Sequence, residues 1–381
     1  MKWKKMQYFN DYNFQLLTDG KEAFPEIISC IEQAKSSVLI NMFIWRDDVI
    51  GNRIAEAVLS AADRGVKVDI SVDRYGVVLE KSEECKKSFF HKTQTASERF
   101  KIRFLEWIYP MKGAPKRARD EESGLYRSIM AHPNITVSRD TFKADHSKYY
   151  VIDGEILFLG GINIEDKENG ADLQGRVYQD YMVKMVGKEY VNAFFDKLEK
   201  GEDTPKEYSF GINRKALGVF EMEERYLDLI RSAKEELTIH MAYFSPLPQF
   251  LDAITDAHRR GVRVTVVIPE QANYQNDSNR RAVRTLMKKT DDGIFLYFTP
   301  KMAHTKLVAN EKWISLGSTN ITKKAFGQLD ELNLFVKRNA SAFCDAIFKS
   351  MAENEAQAKC ILTHKEISYR RVLAFLEGFL V

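Results

Sequence analysis

Residues 146–163 read HSKYYVIDGEILFLGGIN, and residues 304–320 read HTKLVANEKWISLGSTN. In each, a polar His-x-Lys opens an apolar run, a short polar turn follows, and a second apolar run leads to Gly-Gly or Gly-Ser. An asparagine, Asn163 or Asn320, closes the stretch. The pattern predicts two strands about a tight turn, ending in a turn of small residues. Residues two apart on a strand share a face, so His146 is expected beside Lys148 and His304 beside Lys306. A lone His-x-Lys on a strand is ordinary solvated surface. Two copies in the same local pattern within one chain call for another explanation.

The flanking sequence repeats as well. QAKSSVLINMFIW (33–45) aligns with SAKEELTIHMAYF (232–244), so that Ala34, Lys35, Ile40 and Met42 match Ala233, Lys234, Ile239 and Met241. Each segment passes from the end of a helix into a strand. AADRGVKVDISVD (61–73) aligns with AHRRGVRVTVVIP (257–269), where a helix stops at Arg-Gly and a Val-rich strand begins. Gly65 and Gly261 suit the left-handed position that ends a helix. The preceding helices carry apolar stripes at Ile54, Val58, Ala61 and at Phe250, Ile254, Ala257, as helices lying on a sheet should. Three ordered matches make the chain a duplication. Alternating helices and strands predict an α/β fold with largely buried sheets. The expected lobes are residues 1–200 and 207–381, divided at the polar stretch Glu199 to Lys206. From Arg-Gly to the motif histidine is 81 residues in the first half and 43 in the second, so the first half carries an insertion at about 77–138.

The whole-chain properties narrow the function classes. With 381 residues, 44% hydrophobic and 29% charged, the chain has ordinary globular composition and enough length for two cores. A net charge of +3 gives no basic footprint of the kind a nucleic-acid-tracking protein displays, so no nucleic-acid partner is expected. Cys30, Cys85, Cys344 and Cys360 show no paired spacing, which points to neither a zinc site nor a disulfide framework and fits a cytoplasmic chain. The basic start is followed by polar residues from Gln7, so a secretory signal is not expected. No apolar run approaches the length of a spanning helix.

Brought together about a pseudo-twofold axis, the two motifs would line one pocket with two His, two Lys and two Asn. That set suits a phosphodiester. Lysine and asparagine donors can hold phosphoryl oxygens and stabilise the charge of the transition state. One imidazole can attack phosphorus while the other protonates the leaving alcohol and later deprotonates the acceptor.

These motifs resemble the signature of the phospholipase D superfamily, H-x-K-x4-D followed by G-G/S-x-N. The first copy matches throughout, at His146, Lys148, Asp153, Gly160, Gly161 and Asn163. The second matches at His304, Lys306, Gly317, Ser318 and Asn320, with Glu311 in place of the aspartate and a turn one residue shorter. The resemblance implies two duplicated phospholipase D-like lobes, each a mixed β-sheet flanked by helices, with the active site at the lobe interface. It implies that Asp153 and Glu311 brace the strand and turn, and that Asp180 and Glu331 accept a hydrogen bond from an imidazole and so fix its tautomer. It also implies that His146 is the nucleophile, that His304 is the acid and base, and that neither metal nor cofactor is needed. LLTDGKEAF (16–24), WRDDVIGNRIAEAV (45–58) and GGINIEDK (160–167) are similar to short bacterial cardiolipin synthases, which transfer a phosphatidyl group between phospholipids such as phosphatidylglycerol. Hydrolysis of a phosphodiester is the alternative, and a non-catalytic membrane-binding relative is a weaker one.

Four further features bear on partners. WIYPMKGAPKRAR (107–119) mixes Trp107, Tyr109 and Met111 with Lys112, Lys116, Arg117 and Arg119, a composition suited to peripheral contact with an anionic inner membrane. YRRVLAFLEGFLV (369–381) is expected as a closing helix packed on the second lobe. His240 and His258 read as structural. His91, His132 and His364 have no constellation around them in the sequence.

Overall fold

The protein is described here by a computed structural model that covers residues 13–111, 113, 121–203, 207–339 and 341–380. In the first half β1 (Phe14–Thr18), α1 (Asp19–Gln33), β2 (Ser37–Met42), α2 (Val49–Asp63) and β3 (Lys67–Val72) come first. The helices α3 (Val77–Ser82), α4 (Ala96–Ile108) and α5 (Gly124–Ala131) follow. Then come β4 (Ile135–Ser138), β5 (Tyr149–Ile152), β6 (Ile156–Gly160), β7 (Tyr178–Gln179), β8 (Tyr181–Val186) and α6 (Lys188–Phe195). The second half opens with β9 (Tyr208–Arg214), β10 (Val219–Phe220), α7 (Met222–Ser232), β11 (Glu236–Met241), β12 (Phe244–Ser245), α8 (Pro248–Arg259) and β13 (Arg263–Pro269). It continues with α9 (Asn276–Lys289), β14 (Phe295–Thr299), β15 (Met302–Ala303), β16 (Lys306–Asn310), β17 (Trp313–Gly317), β18 (Ile321–Thr322) and α10 (Lys323–Gly327). It closes with β19 (Glu331–Lys337), α11 (Ala342–Gln357), β20 (Lys359–Ile361) and α12 (Arg371–Leu380).

The duplication is visible strand for strand. The first sheet runs β1-β8-β6-β5-β2-β3-β4, and the second runs β10-β9-β19-β17-β16-β11-β13-β14-β20. Without its edge strands β10 and β20, the second sheet repeats the order of the first. Both are mixed: β2 pairs parallel with β3 and antiparallel with β5, as β11 does with β13 and β16. The helix stops read from Arg-Gly are present, with Gly65 at φ +94° and Gly261 at φ +87°, where a side chain would be strained.

Each sheet is buried on both faces, which is why its strands read as continuous apolar runs. On β5 and β6, Tyr150, Ile152 and Phe158 join a core with α1 and α2 through Ile27, Ile31, Ile54 and Val58. The second sheet packs likewise on α7, α8 and α9 through Tyr226, Ile230, Phe250, Ile254 and Leu286. The alternate residues point the other way, and there the two sheets meet. Val151, Leu157, Leu159 and Val183 pack with Leu307, Ile314, Leu316 and Leu334, closed by Phe194 of α6 and Ile347 of α11. Helices thus flank each sheet on its outer face, while the inner faces cover one another. Each fully buried Leu or Ile contributes about 1.5–3 kcal/mol, so the shared core sets the halves firmly against each other.

The material inserted in the first half is built from α3, α4 and α5. Lys112, Lys116, Arg117 and Arg119 of its basic stretch lie outside the described residues. Among the described residues, no helix is long and apolar enough to cross a membrane. The closing helix α12 packs on α9, where Glu377 accepts a hydrogen bond from the Ser278 amide at 2.6 Å.

Two expectations need correction. The motif His and Lys are expected on a strand, but β5 begins only at Tyr149 and β16 at Lys306, so of the four only Lys306 lies on one. The histidine amides are committed elsewhere, to the opposite half: His146 donates to the Asp330 carbonyl at 2.8 Å and His304 to the Gln179 carbonyl at 2.7 Å. His91, read as isolated, sits in a buried network, 3.0 Å from Glu80 Oε2 through Nδ1 and 3.0 Å from the Arg139 carbonyl through Nε2. Its partners come from α3 and from the end of β4, so nothing in its own neighbourhood of sequence marked them. His132 and His364 each meet one aspartate, Asp63 and Asp292. His240 is fully buried on β11.

Candidate active site

The amide bonds that fix the two histidines also fix what lies behind them. Asp330 and Gln179 immediately precede Glu331 and Asp180, so pinning each histidine to the opposite half delivers that half's carboxylate to its ring. Glu331 Oε1 stands 3.1 Å from His146 Nδ1, and Asp180 Oδ2 stands 2.9 Å from His304 Nδ1. The sequence placed each acid after the histidine of its own half; in the fold the pairs are crossed. Each Nδ1–H is thereby spent on a carboxylate, leaving Nε2 of both rings as the reactive nitrogen.

The glycines of the motifs make room for this. A Cβ at Gly160 would lie 2.2 Å from the Tyr181 carbonyl, and one at Gly317 would lie 2.3 Å from the Leu332 carbonyl. At the next position the halves differ. A Cβ at Gly161 would lie 2.2 Å from Asp180 Oδ2, whereas Ser318 donates its hydroxyl to the longer Glu331. Asp153 accepts the amides of Lys35, Ser36 and Ser37 at 2.7–3.1 Å, and Glu311 accepts those of Lys234 and Glu235 at 3.2 and 3.4 Å. Both carboxylates clamp a helix–strand junction far from the imidazoles. The shorter second turn is held instead by Asn310, whose Oδ1 accepts the amides of Lys312 and Trp313.

Lys148 and Lys306 are buried side chains, each bonded to the carbonyl of its own motif histidine. Burial, reinforced by the neighbouring Lys306, brings the Lys148 ammonium down to about 7. Burial likewise lowers Lys306, against the pull of Asp180. Both imidazoles fall well below their usual range, because burial and the two ammonium groups disfavour a further positive charge. Burial raises Asp180 to about 6 and Glu331 to about 8. Such displacements are those of a site that holds its positive charges for an anion. Asn163 and Asn320 are 3% and 5% exposed, and the amide oxygen of each lacks a partner. Each orphaned oxygen is an acceptor that a hydroxyl donor would complete, while the NH2 group of the same amide is the part able to donate to an anion.

His146, His304, Asn163 and Asn320 open on one cavity of about 390 Å³ between the halves. Phe43 packs edge-on to the His146 ring at 4.8 Å, and Tyr243 packs edge-on to the His304 ring at 5.9 Å. The inserted α4 contributes Lys101, Phe104 and Leu105 to the wall. Further residues were not recognised as site residues from the sequence. Glu83, Glu165, Lys167 and Asn273 also line this cavity. Glu165 and Lys167 lie in GGINIEDK, whose charges on so apolar a segment were the available signal. Among the described residues, no group of three or more His, Cys, Asp and Glu is placed to hold a metal ion. The arrangement puts two imidazoles on one cavity, where one can attack a phosphodiester and the other exchange a proton. Lys148 and Lys306, each bonded to its own histidine's carbonyl, are not among the residues that line it.

Comparison with known proteins points the same way. The family described as cardiolipin synthase, PLD-like domain, matches residues 27–197 and 226–352. Cardiolipin synthase B of Escherichia coli (strain K12) is 24% identical over 344 residues, covering 84% of this chain and 76% of that protein. Cardiolipin synthase of Listeria monocytogenes serotype 4b (strain F2365) is 24% identical over 373 residues, covering 89% and 70%. The crystal structure of phosphatidylserine synthase from Haemophilus influenzae Rd KW20 shares the fold, with a TM-score of 0.67 at 14% identity over 97% of this chain and 91% of that one.

Proposed function

Because the chain belongs to the cardiolipin synthase, PLD-like domain family, we propose that it is a phospholipase D-type phosphatidyltransferase that passes a phosphatidyl group from one phospholipid to a hydroxyl of another. The observation that carries this reading is the crossed pair of imidazoles, each held at Nδ1 by the carboxylate of the opposite half and each facing the same cavity. In the first step His146 Nε2 attacks phosphorus. A P–N bond forms as the P–O bond to the headgroup alcohol breaks, and His304 Nε2 gives that oxygen its proton. In the second step the acceptor hydroxyl gives its proton to His304, its oxygen bonds phosphorus, and the P–N bond breaks. Lys148, Lys306, Asn163 and Asn320 hold the non-bridging oxygens. The entering anion offsets the two ammonium charges, so His304 takes up its proton as substrate binds.

Water competes for the phosphohistidine, but effective molarities of about 10⁵ M or more for a well-placed hydroxyl outweigh its excess. Vesicles of phosphatidylglycerol should therefore yield cardiolipin and glycerol with little phosphatidic acid, and excess glycerol should drive the reaction backward. Lipid mass spectrometry reads both. Phosphatidic acid as the dominant product, insensitive to glycerol, would replace transfer by hydrolysis.

Contact with an anionic bilayer is best supported at the outer face of α4. Phe100 and Trp107 are 72% and 70% exposed there, Phe104 stacks on Trp107 at 6.1 Å, and Arg99, Lys101 and Arg103 are exposed beside them. An aromatic face edged with basic side chains suits the headgroup layer. Because Lys101 and Phe104 also line the cavity, lipid at this face would lie at the entrance to the site.

The charge states set a pH dependence. With Lys148 at about 7, the free enzyme loses a phosphate-binding cation as pH rises through that value. Burial and the two ammonium groups keep His146 neutral, and so nucleophilic, to well below its usual range. In a pH profile kcat/KM should decline above about pH 7, as Lys148 loses its proton, and below about pH 6, as Asp180 takes one up and no longer holds His304 as a carboxylate. A profile flat to the ordinary lysine range would show that Lys148 does not govern binding.

A further inference from the structure

The cavity is not symmetric about its two histidines. Beside His146 the wall is mainly apolar: Phe43, with Tyr75 6.1 Å behind it, Ala325, and Leu329 next to the Asp330 carbonyl, with Lys324 Nζ 4.7 Å over the Tyr75 ring as its charged member. Beside His304 it is polar and hydrogen-bonded through. Tyr243 donates its hydroxyl to Asn273 Oδ1 at 2.7 Å, and Asn273 Nδ2 donates to Glu83 Oε1 at 2.8 Å. Lys167 Nζ reaches Glu83 Oε2 at 2.7 Å and Glu165 Oε2 at 3.3 Å. Arg46 reaches the same two carboxylates at 3.0 and 2.6 Å from behind.

On the transferase reading above, on which this inference rests, displacement at phosphorus is in line. If His146 attacks from its side, both the departing and the incoming alcohol lie on the side of His304. We infer that the His304 side of the cavity is the alcohol site, and that Tyr243, Asn273, Glu83 and Lys167 form a wall that selects a neutral polyhydric alcohol such as a glycerol headgroup. The first support is chemistry: carboxylate and phenol oxygens can accept from hydroxyls, while the ammonium and amide can donate to them. The second is charge. Two carboxylates beside a phosphate would repel it, yet here Arg46 and Lys167 balance Glu83 and Glu165 one for one. Glu168, 3.6 Å from His304 Nδ1, is held well above the usual carboxylate range by burial and by Glu165. Burial alone would raise Glu83, but Lys167 and Arg46 outweigh it and bring the carboxyl down to about 2, so the balance holds across the working pH range. A wall of zero net charge offers no excess anion to an ammonium headgroup and no excess cation to an acid. The third is origin. Glu83 ends the inserted α3, Lys167 follows the first motif, and Asn273 follows β13, so the wall exists only when the two halves are docked.

The test uses the full chain and a phosphatidyl donor whose leaving group is p-nitrophenol, which does not require a polyol site. Glycerol, ethanolamine and 1-propanol compete at equal concentration, and products are read as adduct ratios. Wild-type protein should form the glycerol adduct at least ~10-fold over the other two, since a site built to bond hydroxyls discriminates against their absence. Asn273→Leu should lower the ratio of glycerol adduct to phosphatidic acid ~10-fold. Tyr243→Phe, which removes one oxygen and preserves packing, should lower it in the same direction should Asn273→Leu fail to fold. Equal use of the three alcohols by wild-type protein overturns the inference, as does an unchanged ratio in either folded variant. Phosphatidic acid alone with every acceptor would overturn the transferase reading itself.

Discussion

His146→Ala and His304→Ala should each lower kcat by about 10⁴-fold or more, and the double variant should be no slower than the slower single one, because groups that act as a unit are not additive. Each ring has one nitrogen held by a buried carboxylate and the other in the cavity, so no neighbouring group can take over its proton or its attack. The two variants should still differ with a donor whose leaving group is p-nitrophenol. That alcohol departs without a proton, so His304→Ala should accumulate a covalent phosphatidyl adduct on His146, visible by mass spectrometry after acid-free quenching. His146→Ala should accumulate none. An adduct on His304 in the His146→Ala protein would exchange the two roles, and substantial turnover in either single variant would remove the paired mechanism altogether.

How far the sequence could be read depended on the range of the interactions concerned. The duplication was legible because its marks are local: a stop at Arg-Gly, a Val-rich strand, a His-x-Lys leading two strands. The strand order of both sheets follows from repeating one unit. What stayed hidden is what forms between the halves. The crossing of His146 to Glu331 and of His304 to Asp180 joins residues 185 and 124 positions apart in the chain. The inner faces of the sheets read as ordinary apolar runs, with nothing to show that the cover on one face is another sheet. The polar wall beside His304 is assembled from positions 46, 83, 165, 167, 243 and 273, of which only 165 and 167 carried a local signal. Charged residues in GGINIEDK read as scaffold because their partners are remote. Glu311 reads as a brace through the resemblance alone, because its partners, the backbone amides of Lys234 and Glu235, lie 77 and 76 residues earlier, and a glutamate reaches them as Asp153 reaches its own.

The difference between the halves at Gly161 and Ser318 leads to the other large effect. Both residues follow a glycine that lets two strands approach, and both amides donate at 3.0 Å to the carbonyl after the carboxylate, of Tyr181 or Leu332. The backbone is therefore equivalent, and the side chains are two solutions to one problem. The short Asp180 lies flat on Gly161, whereas the longer Glu331 stands off and is held by the Ser318 hydroxyl. Gly161→Ser should place a Cβ where Asp180 Oδ2 now lies, 2.2 Å away, forcing the carboxylate off His304 Nδ1 and lowering kcat ~10²-fold. Asp180→Glu alone should also be slow, because its extra methylene has no hydroxyl to fix the outer oxygen. Combining Gly161→Ser with Asp180→Glu installs the arrangement of the second half in the first, and should recover kcat to within about tenfold of wild type, a coupling of the kind expected for side chains in contact. The proton acceptor on His304 would again be a carboxylate, so the acid limb of the pH profile should return with the rate. A harmless Gly161→Ser would mean that Asp180 does not need its present seat. A double variant as slow as the singles would mean that the two halves have diverged beyond exchange, and that the acid and the nucleophile require different carboxylates.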